Sequence, residues 1–226
     1  MKALVLFSGG LDSSTCLALA IEKYGKENVL ALSISYGQKH IKEINAARAV
    51  AEYYGTELVS LDLAPIFEGS DCALLEGSDR AIPKGDYANQ LVSSDGKPVS
   101  TYVPFRNGLF LSCGASVALS RGCDVIYYGV HSDDAAGSAY PDCSSDFNDH
   151  MSKAISIGSA QQLKVVAPFV GCTKAEVVAQ GLRLGVPYEL TWSCYEGNEK
   201  PCGCCGTCID RAKAFAANGV KDPALS

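Results

Sequence analysis

Short apolar runs recur at residues 3–7, 29–34, 57–61, 125–130 and 164–166, with helical spacing between several of them. Runs of that length, rich in Val, Ile, Leu and aromatic side chains, predict strands buried on both faces, and their alternation with helices predicts an α/β fold built on a parallel sheet. Between residues 41 and 54 the apolar positions are Ile41, Ile44, Ala47, Val50, Ala51 and Tyr54, the stripe of an amphipathic helix covering one face of that sheet. Residues 107–121 read differently. Leu109, Phe110, Leu111, Val117, Ala118 and Leu119 are interleaved with small Ser, Gly and Ala, which predicts a helix buried on most sides and ended by Gly122. From 67 to 101 the periodicity dissolves into Gly, Ser, Asp and Pro, a long excursion rather than core. In an open parallel sheet ligands bind beyond the carboxyl ends of the strands, so 8–14, 35–40 and 131–134, each following a strand, are expected to converge.

The segment Ser8-Gly9-Gly10-Leu11-Asp12-Ser13 follows the first strand and opens a helix. Two glycines let the backbone turn tightly and approach a phosphate, Ser13 and Ser14 can add hydroxyl contacts, and successive N–H groups form an anion-binding nest. The Walker A pattern, with its Gly-Lys-Ser/Thr, occurs nowhere in the chain. A nest without that lysine suits holding a departing pyrophosphate. The six residues resemble the signature of the PP-loop ATP pyrophosphatases, which split ATP between its α and β phosphates and adenylate an oxygen of the substrate.

Bulk properties narrow the partners. The 226 residues are 47% hydrophobic, enough for one well-buried domain with a small appendage. A net charge of −6 and a pI near 5.1 disfavour a nucleic-acid surface and favour a small-molecule substrate. No apolar stretch approaches membrane-spanning length, the first residues do not form a signal-peptide core, and the expected location is cytoplasmic. Internal repeats and low-complexity tracts are lacking.

Eleven cysteines fall short of a disulfide scaffold, and in a reducing compartment clustered thiols bind metal more readily than they pair. Cys194, Cys202, Cys204, Cys205 and Cys208 lie close together. Two-residue gaps separate Cys202 from Cys205 and Cys205 from Cys208, and Cys194 is the nearest outside candidate for a fourth corner. Those four are the expected ligands of a closed, structural Zn²⁺ site, with Cys204 a bystander or an alternative ligand. A disulfide knot or ordinary buried cysteines are the competing reading. The expected division is a nucleotide domain over 1–190 and a zinc-binding segment over 191–226 packed on it. Cys143, in a polar loop beside Asp142, stays open as a nucleophile.

Together the amino-terminal loop and the Cys-x7-Cys-x2-Cys-x2-Cys site resemble the 7-cyano-7-deazaguanine synthases, enzymes of queuosine and archaeosine precursor biosynthesis. The similarity runs nearly end to end. It includes Tyr36-Gly37-Gln38 with His40 and Glu43, Val103-Pro104-Phe105-Arg106-Asn107, Tyr140-Pro141-Asp142-Cys143, Thr173-Lys174-Ala175-Glu176 and Leu190-Thr191-Trp192-Ser193-Cys194-Tyr195. The loop 131–138 departs from the better-known bacterial form, and Ser144 stands where an arginine is common. The resemblance implies a Rossmann-like, doubly wound sheet of the adenine nucleotide alpha hydrolase-like kind. It also implies conversion of 7-carboxy-7-deazaguanine, ammonia and ATP to 7-cyano-7-deazaguanine, through an adenylated acid and then an adenylated amide, with release of AMP and pyrophosphate. ATP, Mg²⁺ and structural Zn²⁺ are the implied cofactors.

The expected nucleotide-binding residues are Phe7, Ser8, Gly9, Gly10, Leu11, Asp12, Ser13, Ser14 and Thr15. Asp12 would position Mg²⁺, and Lys174 and Arg106 would supply positive charge to the departing phosphates, with Arg211 a weaker third. Asp142 is expected to accept from the amine edge of the deazaguanine, with Tyr140 or Phe105 stacked on the ring and Asp133 a further contact. His40 is either a proton relay or a helix cap. Other readings are a tRNA-modifying PP-loop enzyme, a noncatalytic zinc-stabilised nucleotide-binding module, and an adenylating enzyme that passes the deazaguanine to another amine. A homodimer is an option, with the 67–101 excursion able to carry its interface.

Overall fold

The computed structural model describes residues 1–92, 97–135 and 139–225. In chain order the main elements are β1 (Ala3–Leu6), α1 (Leu11–Tyr24), β2 (Val29–Ser35), α2 (Lys42–Tyr54), β3 (Glu57–Asp62), α3 (Tyr87–Val92), α4 (Arg106–Ser120), β4 (Val125–Tyr127), α5 (Ser132–Ala135), α6 (Ser145–Gly158), β5 (Lys164–Val166), α7 (Lys174–Arg183) and α8 (Gly206–Ala217). The five strands form one sheet in the order β3-β2-β1-β4-β5, every pairing parallel. This is the α/β architecture with a parallel sheet expected from the strand and helix alternation, in the Rossmann-like form that the resemblance implied.

Alternation within each strand divides the core into two layers. Ala3 and Val5 of β1, Ala31 of β2 and Tyr127 of β4 face the layer built with α1, α2, α7 and α8. Leu4, Leu30, Leu32 and Ile126 face the opposite layer, with α4 and α6. The successive positions of a strand point to opposite faces, so a continuous apolar run is what a strand covered on both sides requires. β3 lies at the sheet edge and is only partly buried.

Because the connections run β1 to β2 on one side and on to β4 on the other, the strand order reverses between β1 and β4. The crevice at their carboxyl ends is the topological switch point. β4 stops at Tyr127, short of the expected residue 130. Gly129 explains it: a Cβ there would lie 2.9 Å from the Asp12 carbonyl oxygen and 3.1 Å from the Ser13 nitrogen, so the chain presses against the start of α1 instead of continuing the ladder.

The stretch expected to be wholly peripheral between 67 and 101 is in part buried. Cys72, Leu74 and Leu75 pack with Phe67, Tyr36 and Val103 in a small separate cluster, and Leu75 makes an isolated antiparallel bridge with Gln38. Irregular backbone leaves no period in the sequence, although its side chains still find individual pockets. Further along, Lys84 bridges Cys205, and the Gly85 N–H donates to the Cys204 carbonyl at 2.9 Å. The excursion is thereby tied to the cysteine-rich segment. No helix among the described residues is long and apolar enough to cross a membrane.

Candidate active site

Between β1 and α1 the chain turns at Gly9, whose φ is +79°. A Cβ on Gly9 would meet the Ala47 backbone nitrogen of α2 at 2.3 Å, so both the left-handed conformation and the close approach demand glycine. Gly10 caps α1 and offers no side chain to its first amides, so the N–H groups of the first turn face the crevice without a side-chain acceptor. Ser8 and Ser13 brace the turn: their hydroxyls lie 3.0 Å apart, and the Ser8 hydroxyl also accepts from the Gly10 N–H at 3.3 Å. From the other side, the Trp192 N–H donates to the Gly9 carbonyl at 3.1 Å.

The turn opens onto a cleft at the carboxyl ends of the central strands. Phe7, Ser8, Gly10, Leu11, Asp12 and Ser13 line it. Gly9, Ser14 and Thr15 do not. Ser14 is fully buried, and the Thr15 hydroxyl accepts or donates at 2.8 Å to the Tyr188 hydroxyl behind α1.

On the β4 side stands a charged cluster. Lys174 Nζ donates to Asp12 Oδ2 at 3.1 Å and lies 3.1 Å from His131 Nε2, which is itself 3.3 Å from Asp134 Oδ2. Thr173 caps α7 in a full capping box with Glu176, fixing where Lys174 begins. Burial alone would raise the Asp12 carboxyl, but Lys174 and His131 outweigh it and hold Asp12 below its ordinary value. Burial by itself would lower the Lys174 ammonium, and Asp12 and Asp134 overcome that, so Lys174 is held protonated. Asp12 Oδ1 is buried without a hydrogen-bond partner. A carboxylate oxygen so placed beside a second acid, Asp134, fits a hard divalent cation accompanying polyphosphate.

Across the cleft, Arg106 opens α4 and lies over the rings of Tyr36, 5.3 Å from its centroid, and Phe110, at 6.0 Å. Glu43 of α2 lines the same end. Burial pushes its carboxyl up to about 7, with Arg106 pulling in the opposite direction.

Several expected substrate contacts lie elsewhere. Asp142 is buried outside the cleft lining, and its Oδ2 accepts from the Asn107 N–H at 2.9 Å, serving the start of α4. Phe105, with φ +53°, is 56% exposed and packs edge-on against Phe147 while Arg106 enters the cleft. Asp133 accepts from the Lys174 backbone N–H at 2.8 Å, at the start of α7. Tyr140 sits one layer behind the lining. Its hydroxyl joins Thr101 at 2.6 Å and Tyr195 at 3.1 Å, and Tyr195 in turn meets Tyr87 at 2.7 Å. Of these, Tyr195 and Tyr87 line the cleft. Positions 136–138 of the 131–138 loop lie outside the described residues.

Arg211 is not a cleft residue. It is buried, bidentate to Asp222 at 2.7 and 2.9 Å, and bonded to Thr191 and the Tyr188 carbonyl, which satisfies its guanidinium structurally. His40 accepts from the Lys42 N–H at 3.3 Å at the entry of α2, the capping alternative. Cys143 lines the cleft, but burial raises its thiol and Asp134 and Asp142 push further in that direction, which disfavours the thiolate a nucleophile needs.

The sulfurs of Cys194, Cys202, Cys205 and Cys208 lie within 4.8 Å of one another, while Cys204 is exposed and is not one of the four. Four thiols with backbone N–H groups donating to Cys194 Sγ from Glu196 and Cys202, both at 3.3 Å, form a donor set suited to a soft or borderline metal.

A family model described as queuosine biosynthesis protein QueC matches residues 2–219. Curated relatives named 7-cyano-7-deazaguanine synthase include that of Archaeoglobus fulgidus, 43% identical over all of this chain and 90% of the relative. That of Thermoplasma acidophilum is 43% identical over 98% of this chain and 90% of its own length. That of Nitratiruptor sp. is 42% identical over 98% and 97%.

Proposed function

The chain belongs to the QueC family of queuosine biosynthesis proteins, and on that premise we propose that it is a 7-cyano-7-deazaguanine synthase. It converts 7-carboxy-7-deazaguanine and ammonia to the nitrile at the expense of two ATP, each cleaved to AMP and pyrophosphate. The single observation that carries the reading is the open start of α1 at the sheet's switch point, with the protonated Lys174 held against its first turn by Asp12. A carboxylate repels a nucleophile, so its oxygen attacks the α-phosphorus of ATP, the bond to the pyrophosphate breaks, and the acid becomes an acyl adenylate. Ammonia adds to that carbon, AMP leaves, and a proton is lost to give the primary amide. The amide oxygen is adenylated in turn. Loss of AMP and two protons then leaves carbon triply bonded to nitrogen.

In this chain the amides of Gly10 to Ser13 and the hydroxyls of Ser8 and Ser13 receive the departing pyrophosphate, where fixed donors act on charge as it grows. Lys174 supplies a positive charge that Asp12 and Asp134 keep in place. Asp12 and Asp134 would hold Mg²⁺, which neutralises phosphate charge when bound. Arg106 provides the second cation, at the Tyr36 end. The four cysteines would hold Zn²⁺, closing the carboxyl-terminal segment over 191–226 against the nucleotide domain over 1–190. A four-thiolate site leaves no open position for chemistry, so the metal's part is structural.

Incubating the protein with 7-carboxy-7-deazaguanine, ammonium and Mg-ATP tests the reading. Mass spectrometry is expected to find the amide and then the nitrile, with AMP and pyrophosphate in step. ADP and phosphate as products, or no turnover of the acid, would overturn it.

A further inference from the structure

Three carboxylates line the cleft, and two already have cationic or ring-nitrogen partners: Asp12 has Lys174, and Asp134 has His131. Glu43 has neither a hydrogen bond nor an ion pair among the described residues. It projects from the first turn of α2, a helix whose packing against Gly9 fixes its distance from the phosphate loop. Around it the lining is aromatic and cationic. Tyr36 and Phe110 stand 5.9 Å apart between ring centroids, with the Arg106 guanidinium over both. Arg106 likewise lacks an acid within ion-pair distance among the described residues. A carboxylate without a partner, beside a guanidinium held only by the Tyr36 side chain and two ring faces, is costly in the free protein, and a ligand that donates to the one and accepts from the other relieves that cost.

Resting on the reading above, we propose that Glu43 is the specificity residue for the deazaguanine, accepting its ring N1–H and exocyclic 2-amine together while Arg106 donates to an acceptor of the same molecule. The chemistry selects between the two heterocycles of the reaction. A guanine-type edge sets two donors side by side, matching the two oxygens of a carboxylate. The adenine of ATP sets its amine beside a ring-nitrogen lone pair, which would repel the second oxygen. Asp142, the acid expected from sequence to do this, has turned its Oδ2 to the Asn107 amide. The raised proton affinity of Glu43 belongs with this assignment, since a carboxyl short of donors gains most from two.

Two arms test the assignment. In the first, the unaltered protein is given 7-carboxy-7-deazaguanine and the analogue lacking the 2-amine. The analogue is expected to lose about 10- to 100-fold in kcat/KM, the worth of a charge-assisted hydrogen bond, and equal turnover of the two would overturn the proposal. In the second, Glu43→Gln, checked for an unchanged circular dichroism spectrum, is expected to lose about the same factor on the full substrate and little on the analogue, leaving the KM for ATP within about threefold. Preserved discrimination in E43Q, or a rise in the KM for ATP alone, would overturn it. If E43Q does not fold, the first arm decides. Absence of any AMP formation by the unaltered protein is a different failure. It would remove the synthase reading itself, and calorimetric binding of the two heterocycles to the unaltered protein would still decide the role of Glu43.

Discussion

Lys174 is buried and Asp12 half-buried, and each offsets the other's charge, so the pair dictates how single changes there behave. Lys174→Met removes the cation and leaves Asp12 facing His131 alone. Turnover is expected to fall by about 100-fold or more, with the KM for the deazaguanine moving far less, as steady-state kinetics will read. Stability follows with a definite sign. A depressed carboxyl stabilises the fold above its unfolded value near pH ~4 and loses that contribution as pH falls through the folded value, while a raised ammonium contributes below about pH 10 and fades only above it. Glu43 runs the other way, because its folded value is raised to about 7. Its effect is full below its unfolded value and is lost as pH rises through 7, so the ligand-free protein weakens between about pH 4.5 and 7 from this group. Urea unfolding across that range is expected to show the decline, and E43Q to flatten it. Asp12 was legible in sequence because a loop motif announces it, and Lys174 was reached through the resemblance of Thr173-Lys174-Ala175-Glu176. Glu43 was named there without a partner and His131 and Asp134 entered only as ends of the 131–134 stretch, since only the closing of α2, β4 and α7 onto one crevice shows what faces what. The orientation of Asp142 was illegible for a related reason: a carboxylate beside a turn can look into a cavity or cap the neighbouring helix, and the amide of Asn107 decides it.

The glycines that set element against element carry the tightest geometric demands. Gly9→Ala would place a methyl 2.3 Å from the Ala47 nitrogen in a left-handed conformation, and Gly181→Ala one 1.8 Å from the Tyr188 hydroxyl, breaking its bond to Thr15. Each is expected to cost about 1–3 kcal/mol in denaturant unfolding. The two separate in their effect on ATP: G9A also loses nucleotide affinity by calorimetry, whereas G181A, lying behind α1, keeps it. Strand positions were readable because central parallel strands are apolar on both faces, and α2 and α4 came within a residue of their expected starts. The end of β4 and the buried patch around Leu75 were not, because a close backbone approach and irregular packing leave no periodic trace.

The parts of the cleft wall come from distant stretches of chain. Tyr87 from the excursion, Tyr140 after β4 and Tyr195 beside the cysteines meet through their hydroxyls, and Lys84 and Gly85 are hydrogen-bonded to the cysteine segment. Stripping metal with a strong chelator is therefore expected to do more than lower the thermal midpoint, by about 10 °C or more if several kcal/mol are lost. Hydrogen exchange should accelerate at 84–92 as well as at 194–208, and a change confined to the cysteines would contradict that coupling. The same connectivity sets a timetable for synthesis. Trp192 braces Gly9, and Tyr188 backs α1, so a nascent chain that has reached only residue 187 holds a phosphate loop without those two braces and a pocket without the wall of Trp192, Ser193 and Tyr195. Such a polypeptide on the ribosome has β1 and its glycines, and a fragment ended at residue 187 is expected to bind ATP more weakly than the whole protein by calorimetry.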